Sequence, residues 1–185
     1  KNIFSCDSGD PPPATSKKLK DAIGGLQVTM AESMAIFAPN ANSYRRFTPG
    51  SYAPVNTAWG HNHRSVSLRI PPSNNCNTRI EHRSAGADAN PYLVMSAILA
   101  SIHHGIINEV TPDKMIQSGE YYDPPIGKLP NTWDKAIASL ERNSILKNYF
   151  PENYLDYFLI VKRSEYNRFQ SEVSDRDYAW YLKLA

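Results

Sequence analysis

Apolar residues recur every three or four positions from about residue 15 to residue 37, and this spacing predicts one long amphipathic helix. Two adjacent glycines, Gly24 and Gly25, interrupt the pattern. Each costs about 1 kcal/mol relative to alanine inside a helix, but a residue without a side chain also permits close packing. Pro39 is expected to end the helix. The apolar face consists of Leu19, Ile23, Leu26, Met30, Met34 and Phe37.

A second pattern, in which apolar and polar residues alternate, predicts two short strands. The first covers residues 66–70 and places Arg69 on the face opposite Leu68. The second covers residues 79–83. A cation, a carboxylate and a cation share one face of it, namely Arg79, Glu81 and Arg83. Such a row is either a salt-bridged sheet surface, where each pair contributes roughly 0–1 kcal/mol, or part of a charged site.

The second half of the chain is predicted to be mostly helical. Asn90 and Pro91 are typical of a helix start, because asparagine caps the first turn and proline is tolerated there. Residues 92–107 are apolar on nearly every side, which predicts a helix buried in the core. Shorter helices are expected from residue 131 or 132 to 142, from residue 151, and from a capping box of Ser174 and Asp177 to residue 184. The predicted fold is α+β, with an antiparallel sheet packed by helices.

Composition indicates an ordinary globular chain. It has 185 residues, of which 41% are hydrophobic, and its net charge is +2. No apolar run reaches the ~18 residues of a membrane span, so no membrane association is expected. The two cysteines, Cys6 and Cys76, are too few for a disulfide framework. They could still form one bridge, but a reduced, cytoplasmic protein is the simpler interpretation.

The charge is unevenly distributed along the chain. Between Arg45 and Arg83 there are six arginines, no lysine and a single acid, Glu81, so this segment carries +5 and the rest of the chain −3. Arginine without lysine suggests that rigid guanidinium groups bind carboxylate or phosphate groups, each through two parallel hydrogen bonds. The alternative is that the arginines are separate surface residues, each paired with a carboxylate elsewhere.

Several other chemistries are not indicated. The sequence contains no Gly-rich phosphate loop, no Cys/His spacing typical of zinc and no nucleophile elbow. The neighbours His103 and His104 point about 100° apart on a helix, so they are not expected to hold one metal together. Nucleic-acid binding is disfavoured because the net charge is small and the basic segment has no lysine.

Four blocks of sequence stand out within the first 110 residues. They are Asn42-Ser43-Tyr44-Arg45-Arg46-Phe47 with Pro49-Gly50 and Ala53-Pro54-Val55; Asn62-His63-Arg64-Ser65 continuing to Leu68-Arg69-Ile70-Pro71; Arg79-Ile80-Glu81-His82-Arg83; and Asp88-Ala89-Asn90-Pro91-Tyr92. In this order and spacing they resemble the glutamine synthetase family. The similarity is looser over the C-terminal helices.

The resemblance implies an enzyme that uses ATP to phosphorylate the side-chain carboxylate of glutamate, after which an amine displaces the phosphate. By the same resemblance, Arg46 and Arg83 bind glutamate, and Arg64 is catalytic. Glu81 resembles a ligand of Mg²⁺ or Mn²⁺, hard cations that prefer carboxylate oxygen. The residues that would contact ATP are Arg64, Arg69 and Arg79.

One departure from the family concerns the amine. Members that use ammonia carry a Tyr-Glu pair after the Pro-Gly turn, and its glutamate takes a proton from ammonium. Here the pair is Ser51 and Tyr52, so Tyr52 stands where that acid would be. The surrounding sequence is most similar to the γ-glutamylputrescine synthetase branch, which implies that putrescine, another polyamine or another primary amine is the substrate. The alternative is an ammonia-using glutamine synthetase in which Tyr52 only packs.

The resemblance also implies that residues 1–185 are part of a catalytic domain. Residues 1–110 would hold the first helix, the active-site strands and the buried helix, and residues 111–185 a loop and the C-terminal helices. The family's other metal ligands lie upstream of the matching stretch, as does a small N-terminal domain that completes the neighbouring subunit's site in a ring-shaped homo-oligomer. The 185 residues are therefore expected to be inactive alone. A catalytically dead regulatory subunit remains an alternative.

Overall fold

The structure is a computed structural model that describes residues 2–6, 15–48, 51, 53–117, 129–142 and 145–184. Helices dominate these ranges, and short strands lie between the first two helices, so the predicted α+β class is confirmed. The α-helices are α1 (Lys17–Phe37), α2 (Pro91–Ile107), α3 (Trp133–Arg142), α4 (Tyr154–Ser171) and α5 (Asp175–Tyr181). The strands are β1 (Trp59–His61), β2 (Leu68–Ile70) and β3 (Glu81–His82). Short 3₁₀ helices cover Ala41–Arg46, Asn75–Asn77 and Leu146–Asn148.

Helix α1 forms the centre of the core, as its apolar repeat predicts. The Ser16 hydroxyl caps its start by accepting a hydrogen bond from Leu19 N at 3.2 Å. All six residues of the predicted apolar face are at most 2% exposed. Helices α2 and α3 both pack against α1.

Gly25 and Gly105 mark a very close approach of α1 and α2. A Cβ atom placed on Gly25 would lie 2.1 Å from Ser101 O and 2.6 Å from Gly105 N. One placed on Gly105 would lie 2.1 Å from Asp21 O. Backbones at this distance leave no room for a methyl group, so the close packing expected of the glycine pair in α1 is confirmed at Gly25.

The prediction that α2 is buried on nearly every side is wrong for the part of the chain that the structure describes. The buried residues of α2 are small: Ala97, Ala100, Ser101 and Gly105. Four of its large apolar side chains are exposed, by 82% at Tyr92, 54% at Met95, 58% at Leu99 and 65% at Ile107. Others on the helix are partly buried against the core: Leu93, Val94, Ile98 and Ile102. An all-apolar helix sequence shows that burial is favourable on each side, but only the packing shows which side has a partner.

Strand β2 is the middle strand of a three-stranded sheet. Strand β3 pairs with it in antiparallel orientation, with Arg69 opposite Glu81. Strand β1 pairs with it in parallel orientation, with Trp59 opposite Leu68. The sheet is therefore mixed and not wholly antiparallel as predicted, because residues 62–67 carry the chain back to the start of β1 before β2 begins.

Helices α3 and α4 extend the core from α1, whereas α5 buries no residue. Helix α3 buries Trp133, Ala136, Ile137 and Leu140. Helix α4 buries only Leu155 and Leu159. The predicted capping box at α5 is confirmed, since Ser174 N donates to Asp177 Oδ2 at 2.8 Å. Within the described ranges, no helix has the length and apolar character needed to cross a membrane.

Candidate active site

Arg46 is oriented by contacts on both sides of its guanidinium group. It ends the 3₁₀ helix Ala41–Arg46, whose first backbone amides donate to the Asn40 side chain at 2.9 and 3.2 Å. Arg46 Nη2 donates to Ser84 O, just beyond β3. Its Cζ lies 4.2 Å from the centre of the Phe47 ring. These two contacts hold the guanidinium in place.

Asp88 ties this 3₁₀ helix to the loop that precedes α2. Its Oδ2 accepts hydrogen bonds from Ser43 Oγ at 2.6 Å and from Asn40 Nδ2 at 3.2 Å. Burial by itself would raise the pKa of Asp88, but the two hydrogen bonds and the charge of Arg46 lower it. Conversely, burial lowers the pKa of Arg46 and the charge of Asp88 opposes that shift. Asp88 therefore stabilises the positive charge of a partly buried guanidinium.

Glu81 lies between two arginines on the sheet. Its Oε2 is 3.0 Å from Arg69 Nη1 on β2, and its Oε1 is 3.3 Å from Arg83 Nε. The Glu81 side chain is 41% exposed, whereas those of Arg69 and Arg83 are 19% and 16% exposed. Arg79, predicted to share this row, is exposed and donates from Nη1 to Asn77 O at 3.2 Å. The row that forms is Arg69–Glu81–Arg83.

Both arginines of this row make further hydrogen bonds. Arg83 Nη1 donates to the backbone oxygens of residues 64 and 66. Arg69 Nη2 donates to Asn62 Oδ1 at 2.7 Å. Burial is the main cause of a lowered pKa of Arg83; Glu81 opposes this shift, and the charges of Arg69 and Arg64 add to it. Pre-oriented guanidinium groups crowded in this way form a site suited to anionic ligands.

Four of the residues predicted for the site lie together around β2 and β3: Arg64, Arg69, Glu81 and Arg83. Arg46 reaches the same region through Ser84, the residue that follows Arg83. The Arg64 side chain is exposed. Tyr52, the predicted amine-site residue, lies outside the described residues.

Sequence reasoning assigns no role to His82, which lies behind the arginine row. Its ring meets Phe37 edge-on at 4.6 Å between centroids, and neither ring nitrogen has a partner among the described residues. Burial lowers the pKa of His82 to about 4, and the charge of Arg46 adds to the shift. Alternation along β3 is the signal that could have found it, since residue 82 points away from Glu81 and Arg83. The sequence feature that could have drawn attention to Asp88 is its position two residues before Asn90, the cap of α2.

The described residues do not form a metal centre on their own. They contain no group of three His, Cys, Asp or Glu side chains that could hold an ion together. Glu81 offers one carboxylate, a suitable donor for Mg²⁺ or Mn²⁺.

Comparison with known families shows which family carries this arginine cluster, the group formed by Arg46, Arg64, Arg69, Glu81 and Arg83 around β2 and β3. A family described as "Glutamine synthetase, catalytic domain" matches residues 1–181. This chain belongs to the glutamine synthetase family.

Two curated relatives and one solved structure place the chain within the glutamine synthetase family. The chain is 38% identical over 184 residues to gamma-glutamylputrescine synthetase PuuA of Escherichia coli (strain K12), covering 100% of this chain and 38% of that protein. It is 32% identical over 188 residues to type-1 glutamine synthetase 2 of Dictyostelium discoideum, covering 100% and 36%. The structure "Apo GmaS without ligand" matches with a TM-score of 0.83 at 26% identity, covering 98% of this chain and 41% of that one.

Glutamine synthetase family relatives are ligases, and the chain spans about two-fifths of their length. The arginine cluster is therefore part of a ligase-family catalytic domain. Its guanidinium groups have the geometry for carboxylate and phosphate oxygens.

Proposed function

We propose that the full-length protein containing this chain is an ATP-dependent ligase that forms a γ-glutamyl amide from glutamate and a primary amine. The observation that carries the proposal is the row Arg69–Glu81–Arg83, held by backbone and side-chain contacts, in a chain of this family. Fixed guanidinium groups beside one exposed carboxylate suit a site where phosphate and carboxylate groups meet.

The proposed reaction has two steps. The glutamate side-chain carboxylate attacks the γ-phosphorus of ATP, ADP leaves, and γ-glutamyl phosphate forms. The amine nitrogen then attacks the acyl carbon, phosphate leaves and the nitrogen loses a proton. Both steps move negative charge among oxygens, so cations that are already positioned stabilise the transition states.

The arginines are assigned to three parts of the substrates. Arg46 and Arg83 are proposed to bind glutamate. The hydrogen bond from Arg46 to the backbone oxygen of Ser84 supports this, because Ser84 directly follows Arg83 in the chain. Arg64 and Arg69 are proposed to bind the phosphoryl group in transfer, with Arg64 catalytic. Arg79 is proposed to contact the nucleotide; its exposed side chain supports this role.

Glu81 is proposed as one ligand of a Mg²⁺ or Mn²⁺ ion. Its carboxylate is the most exposed group of the row, which supports contact with an ion on the open side. The remaining ligands would come from outside the described residues. When bound, the ion would supply positive charge to the phosphate oxygens.

The amine is proposed to be putrescine, another polyamine or another primary amine. Tyr52 supports this, because tyrosine is neutral near pH 7 and does not replace a carboxylate that takes a proton from ammonium. The similarity to the gamma-glutamylputrescine synthetase of E. coli supports it as well. The similarity to a type-1 glutamine synthetase keeps ammonia as the second candidate.

The 185 residues alone are proposed to be inactive, because they span about two-fifths of the relatives' length and hold one metal ligand in the cluster. The full-length protein is proposed to assemble as a ring-shaped homo-oligomer.

The test is phosphate release by the full-length protein with ATP, Mg²⁺ and glutamate. Ammonium, putrescine, a longer polyamine, ethanolamine and a monoamine are compared as the second substrate. Stimulation by an organic amine but not by ammonium is expected. Ammonium as the best substrate would overturn the amine assignment, and no turnover with any of the five would favour a non-catalytic subunit.

Variants of Tyr52 separate its chemistry from its packing. Tyr52→Glu restores a carboxylate and is expected to increase turnover with ammonium. Tyr52→Phe keeps the ring and is the matched control, expected to retain the preference for the organic amine. Equal amine preference in both variants would show that residue 52 does not decide the substrate.

A further inference from the structure

The N-terminal segment and the 3₁₀ helix Asn75–Asn77 are joined by a pair of reciprocal hydrogen bonds at a cysteine. Cys6 N donates to Asn75 Oδ1 at 2.8 Å, and Asn75 Nδ2 donates to Cys6 O at 2.7 Å. The Asn75 side chain thus lies along the backbone of Cys6 as a neighbouring strand would. The next residue after Asn75 is Cys76.

Three further hydrogen bonds hold the same two segments together. Asn2 Nδ2 donates to Cys76 O at 3.1 Å and to Thr78 O at 2.7 Å. Ser5 Oγ donates to Asn75 O at 2.9 Å. These contacts flank the two cysteines on either side. Residues 70 positions apart in the chain are therefore kept on adjacent backbones by five hydrogen bonds.

Both cysteines are free, and neither is buried. Cys76 is exposed, and Cys6 is partly exposed. A disulfide needs Cα atoms about 4.4–6.8 Å apart, and the hydrogen bonds between Cys6 and Asn75 hold the two cysteine-bearing segments in direct contact. Accessible pairs of this kind respond to the surrounding redox potential more readily than buried ones.

We propose that Cys6 and Cys76 are a modification site that forms a reversible intramolecular disulfide. The oxidant is a low-molecular-weight disulfide such as oxidised glutathione. One cysteine thiolate attacks it, forming a mixed disulfide and releasing one glutathione thiolate. The second cysteine thiolate then attacks the mixed disulfide, closing the Cys6–Cys76 bond and releasing the second. Two protein thiols are oxidised and one glutathione disulfide is reduced to two thiols.

The bond would fasten the segment that leads into β3. Thr78 follows the 3₁₀ helix, and Arg79 and Ile80 connect it to Glu81. The disulfide itself does not depend on the ligase proposal, because it is detected by mass and by thiol accessibility rather than by turnover.

The test treats the full-length protein with oxidised glutathione and compares it with the same protein in dithiothreitol. Peptide mapping is expected to find a fragment in which Cys6 and Cys76 are joined, 2 Da lighter than the two reduced peptides together. Dithiothreitol is expected to reverse it. Closing so long a loop is expected to raise the melting temperature by about 2 °C or more.

Three variants complete the experiment. Cys6→Ser and Cys76→Ser are matched single-thiol controls, and each is expected to abolish both the joined fragment and the rise in melting temperature. Asn75→Ala removes the reciprocal hydrogen bonds and is expected to slow formation of the bond. The proposal would be overturned if both thiols could still be alkylated after treatment with oxidised glutathione. It would also be overturned if each cysteine kept a stable mixed disulfide with glutathione.

Discussion

Asp88 and Arg46 converge on Gly86: a Cβ atom placed there would lie 2.4 Å from Asp88 Oδ1 and 3.3 Å from Arg46 Nη2. The loop before α2 therefore brings a carboxylate to a guanidinium that burial would otherwise disfavour as a cation. The same carboxylate holds Ser43, in the 3₁₀ helix that carries Arg46. Asp88 is thus placed to position Arg46.

Replacing Asp88 with Asn keeps a hydrogen-bond acceptor for Ser43 but removes the charge beside Arg46. For the full-length protein, we expect the KM for glutamate to rise about three- to tenfold, equivalent to roughly 1 kcal/mol, with a smaller change in kcat. The control is Asp156→Asn, which removes a carboxylate of α4 that is paired with Lys147. An unchanged KM for glutamate in folded Asp88→Asn protein would contradict the positioning role.

Replacing Glu81 with Gln should weaken the response to divalent metal. Measured as phosphate release against Mg²⁺ or Mn²⁺ concentration, the half-saturating concentration is expected to rise about tenfold or more, because one charged oxygen ligand is lost. Glu141→Gln is the matched control, since Glu141 also pairs with an arginine, Arg163, and is 38% exposed. Stability should change by less than about 1 kcal/mol in both variants. Identical metal titrations for the two variants would remove Glu81 from the metal site.

Replacing Gly105 with Ala should destabilise the protein although alanine favours helix. The new methyl group would meet Asp21 O at 2.1 Å and Gly25 Cα at 2.8 Å. We expect a net loss of about 1–3 kcal/mol, because overpacking outweighs a helix-propensity gain of about 1 kcal/mol. Urea denaturation measures it. Ser96→Ala, on an exposed part of α2, should stay within about 0.5 kcal/mol of the parent. A Gly105→Ala protein as stable as the parent would mean that α1 and α2 are not in contact there.

Glu32, in the middle of α1, should make stability fall as pH rises. It is 1% exposed, and no hydrogen bond of normal length and angle reaches either carboxyl oxygen from the described residues. Burial raises the pKa of Glu32 to about 8, with the Leu146 backbone opposing the shift. Between the ordinary value and about 8, the folded state holds a proton that the unfolded state has lost, so unfolding becomes easier with increasing pH.

The measurement is the free energy of unfolding at pH 6 and pH 8. Relative to Glu32→Gln, the parent protein should lose about 2 kcal/mol over this interval. Glu152→Gln, which removes an exposed carboxylate, is the control and should follow the parent. Parallel curves for the parent and Glu32→Gln would show that the buried carboxyl does not titrate in this range.

Local signals were sufficient for most helix ends. Three features that each depend on a few neighbouring residues predicted helices that the structure contains. They are the Asn90 cap with Pro91, the Ser174–Asp177 capping box and the apolar repeat of α1. Strand β1 carries no alternating pattern and was not predicted. Its parallel pairing with β2 depends on where residues 62–67 return the chain, which no local pattern encodes.

The sequence by itself determined that six arginines and one acid lie in a single segment, and which of them alternate along a strand. Only the tertiary structure decided that Glu81 forms its second ion pair, besides the one with Arg83, with Arg69 and not with Arg79. The reason is that the antiparallel register places Arg69 opposite Glu81. It also decided that the fully buried residues of α2 are small while several of its large ones are exposed, and that Cys6 lies beside Asn75. Each of these depends on contacts between residues distant in the chain, whereas caps, periodicity and alternation are set by neighbours.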